Sequence, residues 1–151
     1  MNKDKPLLAA IIGGLSTISA EIISRIMLAL GIGQYSIYLL DSLILTMNRP
    51  NFFLGLYINF VIGGLVGLIF YYLIKCIGQA NLIVKGAFVG MLATTIAEMI
   101  FSSVIEGTHI PLRPIGDYYL HIVGSAGFGL TMGIAFKAYI FFKDTAGSSS
   151  N

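Results

Sequence analysis

Four apolar stretches, 7–30, 52–74, 86–105 and 118–139, occupy most of this 151-residue chain, and each comes close to the length that a bilayer core demands of a helix. They are too long for barrel strands and show no apolar-polar alternation, so helix is the only spanning structure open to them. Only 11% of the residues are charged and the mean hydropathy is +0.87, too little polar surface to cover a water-exposed globule of this size. The expected fold is therefore an all-α integral membrane protein with one transmembrane domain over residues 1–143. A flexible polar tail is expected over residues 144–151.

The first stretch follows Lys3 and Lys5 and so resembles a signal peptide. Cleavage after Ala20 would leave the bulky Ile18 at the −3 position, however, and Glu21 and Arg25 continue the same helical pattern. Lys3, Lys5, Lys75, Lys85, Lys137 and Lys143 fall on one side of a four-span arrangement, and only Arg49 and Arg113 on the other. That bias predicts that both termini lie in the cytoplasm. Residues 35–47 are apolar but would rise only about 20 Å as a helix, which predicts a short helix at the outer interface or capping the bundle, with a lid as the alternative.

An internal repeat is visible. At an offset of 77, Gly13, Leu15, Thr17, Ala20, Glu21 and Ile23 fall on Gly90, Leu92, Thr94, Ala97, Glu98 and Ile100. At an offset of 62, Tyr57, Val61, Gly67 and Leu68 fall on Tyr119, Val123, Gly129 and Leu130, with Asn59 on His121. The pattern predicts a tandem duplicated helical hairpin, with repeat 1 over about 7–75 and repeat 2 over about 85–140. The outer insertion lies between spans one and two. Small or polar residues recur every fourth position in each span, as in Gly55, Asn59, Gly63 and Gly67, and predict close, glycine-mediated helix contacts.

Ionisable side chains inside hydrocarbon cost several kcal/mol unless they face partners, water or substrate. Counting along the helices puts Glu21, Asn59 and Glu98 about 18–20 Å above the cytoplasmic edge, with Arg25 and His121 about 26 Å up. These five are the binding or proton-linked candidates. Glu21 and Arg25 stand one turn apart in the order that favours pairing. Glu98 has no such neighbour, and is expected to be held protonated or to share charge with Arg25 or a protonated His121. Glu21, Arg25 and Glu98 are thus expected to turn inward and meet, around a cavity open to the outside.

Catalytic signatures are absent: no histidine pair at metal spacing, no Gly-x-Ser-x-Gly, and a single thiol, Cys76. The scattered Lys and Arg form no nucleic-acid patch. The expectation is a non-enzyme without cofactor or metal, whose partners are the lipid bilayer and a second copy or another membrane protein. Two functions remain open: small-solute or proton-linked transport through the polar cluster, and a scaffold or helix-interaction subunit whose buried polar network only fixes packing.

With His121 followed by Gly124, Lys85-Gly86 opening the third span and a Gly-rich second span, residues 7–140 resemble a group of small uncharacterised bacterial four-helix membrane proteins. Many members carry a histidine where this chain has Asn59. The resemblance implies residence in the bacterial cytoplasmic membrane and lends no reaction or substrate.

Overall fold

The computed structural model describes residues 4–141, which form five helices in the order α1 (Lys5–Ala29), α2 (Ile37–Thr46), α3 (Phe52–Ile77), α4 (Leu82–Val104) and α5 (Ile115–Tyr139). The polar tail expected over 144–151 lies outside the described residues. Among the described residues α1, α3, α4 and α5 are long and apolar enough to cross a membrane, and α2 is not.

Each of the four long helices runs beyond its apolar stretch at one end, and local caps fix several of the helix ends. Asp4 accepts a hydrogen bond from the Leu7 backbone N–H at 3.1 Å, and Pro6 fits the first turn of α1, where its missing N–H costs nothing. Asn51 caps α3 through the Leu54 N–H, and Gly78, at φ +87°, ends it in a conformation that suits glycine. Pro114, extended, fixes the start of α5.

Helix α1 packs on α3 and on α5, and α4 packs on α5. Helices α3 and α4 touch sparsely, so the four long helices form an open horseshoe with a seam between α3 and α4. Glycines set the tight crossings. A Cβ on Gly13 would lie 2.8 Å from the Gly67 Cα and would also collide with the Gly63 carbonyl. A Cβ on Gly90 would lie 2.8 Å from the Gly129 Cα and 2.8 Å from the Ser125 carbonyl. Each position of the first crossing falls on a position of the second at the offsets of 77 and 62.

The end of the bundle away from α2 closes on an apolar core in which Phe70 and Phe136 meet with ring centroids 4.9 Å apart, against Met132 and Ile74. At the other end α2 lies against α3, its Tyr38 backbone directly over Gly55, and buries Tyr38, Leu40 and Leu43. Leu40 and Leu43 join Phe101, Ile105 and Ile110 in a second apolar cluster at the α4–α5 connection. This end of the molecule is therefore covered by α2 from one side and by the connection from the other.

Candidate functional site

The five candidate residues divide into two groups. Glu21 is buried and its Oε1 accepts from Arg25 Nε at 2.7 Å, the one-turn pair that the spacing predicts. The other oxygen, Oε2, accepts from the Tyr38 backbone N–H at 3.0 Å. Ser36, which precedes α2, makes no side-chain cap, so Glu21 supplies the acceptor that the first turn of α2 needs and places its charge at that helix's positive end. Tyr38 adds a hydroxyl bond of 2.9 Å to Thr17. Glu21 and Arg25 are therefore occupied in holding α2 onto α1. The Arg25 side chain is 55% exposed and its guanidinium lies 5.0 Å from the centre of the Phe52 ring.

The expected meeting of Glu21, Arg25 and Glu98 does not occur. The cation beside Glu98 is Arg113, from the connection between α4 and α5, with Nη2 2.8 Å from Glu98 Oε2. The same Nη2 lies 3.2 Å from Glu106 Oε2, and the Arg113 backbone N–H donates to Glu106 Oε1 at 2.7 Å. Phe101 and Tyr118 present their rings to the guanidinium at 4.8 and 4.6 Å. In the sequence Arg113 stands out only as one of the two arginines on the side opposite the lysines. Its side chain is 1% exposed, because Arg113 and Glu106 together neutralise a loop that folds back over the helix ends.

The electrostatics of that loop are one-sided. Burial alone would raise the Glu106 carboxyl, but the Arg113 backbone N–H, the Tyr118 hydroxyl at 2.7 Å and the Arg113 guanidinium outweigh it and bring the group down to about 2. Burial works against the charge on Arg113, and Glu98 and Glu106 overcome that penalty and hold its guanidinium firmly protonated.

On its other oxygen Glu98 bonds to His121 Nδ1. A carboxylate that also accepts from Arg113 can only accept from the ring, so Nδ1 carries the proton. In the neutral ring Nε2 is then a lone-pair acceptor, and this buried atom has no hydrogen-bond partner. Asn59 does not reach this pair. It donates through Nδ2 to Asp41 Oδ2 at 2.8 Å and to the Gly55 carbonyl at 2.9 Å.

The two pairs, Glu98–His121 and Asp41–Asn59, share the wall of one partly open cavity of about 100 Å³ lined by residues of all five helices. Thr17 adds a further polar group, and Ile62, Val66, Ala93, Ala97, Phe101 and Phe128 are among its apolar walls. Asp41 is not among the five candidates that the sequence points to. It sits on α2, and a helix judged only by its length gives no sign that its mid-point acid points into a bundle. Enclosure raises the Asp41 carboxyl, which His121 and the Asn59 amide partly counteract, leaving it at about 6. The cavity was expected to open outward. Instead α2 covers that end, and at the sparsely packed α3–α4 seam the lining residues Ile62, 47% exposed, and Ala97 also reach the outer surface.

Among the described residues no group of three or more His, Cys, Asp or Glu side chains has the arrangement of a metal site. The chain matches no protein-family model, no curated protein and no solved structure.

Proposed function

We propose that this chain is a multi-pass protein of the bacterial cytoplasmic membrane, not an enzyme, that binds a small solute in the central cavity and couples its movement to a proton. The observation that carries the reading is the pair of polar bridges facing one cavity. Glu98 and His121 form one, Asp41 and Asn59 the other, and between them they hold two carboxyls and one imidazole beside a void. A titratable Asp41, drawn toward neutral pH by its surroundings, provides a group that can exchange a proton under ordinary conditions. Both termini are cytoplasmic in this reading, so α2 lies on the outer side as an interfacial cap.

We also infer that the protein arose as a tandem duplication of a helical hairpin. The supporting observation is the equivalence of the two glycine crossings, in which Gly13 approaches Gly67 as Gly90 approaches Gly129. The two halves then diverged at their acids: Glu21 anchors α2, and Glu98 faces the cavity.

The experiment is solute-evoked proton movement in proteoliposomes carrying an internal pH dye, challenged in turn with small neutral, anionic and cationic organic solutes. An evoked pH change present in the native protein and absent in Glu98→Gln is the expected result. A folded protein that evokes none with any solute overturns the reading in favour of a scaffold. That second reading has its own support in α4, whose face is exposed from Val84 to Val104 and whose Ala93 and Ala97 offer a small-residue surface to a second copy or a partner helix.

A further inference from the structure

We propose that the cavity is a site for a protonated organic amine carrying an apolar body, admitted sideways through the seam between α3 and α4. The proposal rests on the solute-binding reading above and names the class of solute.

Charge comes first. Arg113 compensates Glu98 and Glu106, whereas Asp41 has a single hydrogen-bond partner, the Asn59 amide, and no ion pair among the described residues. Asp41, Glu98 and Glu106 face one guanidinium and one imidazole, so the cluster keeps at least one negative charge in excess in either protonation state of the ring. A monovalent cation reduces that excess, and an anion would increase it.

Hydrogen bonding narrows the choice. His121 is 4% exposed and lines the cavity, and its Nε2, which has no hydrogen-bond partner, is an acceptor when the ring is neutral with its proton on Nδ1. An unpaired buried acceptor is costly, so the best occupant brings an N–H. A primary or secondary ammonium supplies both the positive charge and the donors, and a quaternary ammonium supplies only the charge.

The remaining wall is apolar. Ile62 and Val66 on α3 and Ala93 and Ala97 on α4 flank the seam, so the body attached to the amine meets hydrocarbon on its way in and inside. Helix α2 covers the other approach with Leu40 and Ile44, which also line the cavity.

The test is calorimetric titration of the protein in lipid nanodiscs, with empty nanodiscs subtracted, using benzylammonium as the probe. Three controls each remove one element: benzyltrimethylammonium lacks N–H donors, benzenesulfonate reverses the charge, and methylammonium lacks the apolar body. Benzylammonium is expected to bind at least 10-fold more tightly than each. Asp41→Asn is expected to weaken it at least 10-fold with the protein still folded by size exclusion and thermal melting. Ala97→Phe, which fills the seam from an exposed position, is expected to weaken it as well. No benzylammonium binding, equal binding of benzenesulfonate or of the quaternary analogue, or an affinity unchanged in both variants overturns the proposal. A pH change evoked by anionic or neutral solutes alone would overturn the amine assignment and leave the transport reading standing. Benzylammonium binding without any evoked pH change would do the reverse.

Discussion

Arg113 Nη2 stands 2.8 Å from Glu98 Oε2, a bond that ties the connection after α4 back to the last two turns of the helix it leaves. Glu98 in turn holds His121 on α5. A single chain of polar contacts therefore runs from Glu106 through Arg113 and Glu98 to the cavity wall, and a disturbance at the loop reaches the imidazole.

Arg113→Gln is expected to destabilise the protein by about 3 kcal/mol, because it leaves the buried Glu106 and the part-buried Glu98 without their cation. Arg113→Lys should recover only part of this, since an ammonium cannot keep both the planar stacking between Phe101 and Tyr118 and the bridge to two acids. Denaturation in mild detergent measures both.

Acid should weaken the same region. Glu106 is held at about 2 in the folded protein against an ordinary 4.5, so the stability it contributes is complete above pH 4.5 and is lost as pH falls through 2. Melting temperature followed from pH 6 to pH 3 should fall, and Glu106→Gln should start lower and fall less.

Asp41 should behave in the opposite sense. Its folded value of about 6 lies above the ordinary 3.8, so its contribution is fully present below pH 3.8 and declines as pH rises through 6. Asp41→Asn keeps an oxygen to accept from Asn59 and removes the enclosed charge. It is expected to raise stability at pH 7.5 by about 1–3 kcal/mol while impairing the cavity, the trade expected of a residue retained for function.

Glycine substitutions should separate packing from backbone strain. A methyl at Gly13 or Gly90 meets backbone atoms of the facing helix at under 3 Å, which cannot move aside, and is expected to cost several kcal/mol, about 2–4 by comparison with overpacked cores. Gly31 has open space around its Cβ position but a φ of +79°, so Gly31→Ala should cost only about 1 kcal/mol. Unfolding titrations in detergent distinguish the two classes.

The long helices were legible because length and hydropathy are properties of single segments. The 2.7 Å Glu21–Arg25 pair was legible for the same reason, being set by the pitch of one helix. The partner of Glu98 was not, because Arg113 lies 15 residues away across a reversal of the chain, and an arginine beside a proline at a helix end ordinarily reads as solvated. Asp41 escaped the site for a related cause: its place depends on α2 folding over the bundle, a tertiary outcome directed by the Glu21 bond to the Tyr38 N–H and by the fit of the Tyr38 backbone over Gly55. The split of the polar layer into an anchor and a cavity follows from that same fold-over.

If the proposed solute enters through the gap in the horseshoe, the gap also changes which concentration governs its occupancy. A portal facing hydrocarbon samples molecules after the bilayer has sorted them, so apolar solutes arrive enriched by partitioning and confined to two dimensions, and hydrophilic ones scarcely arrive. Lipid composition, through what it dissolves at that depth, becomes part of the selectivity of the protein.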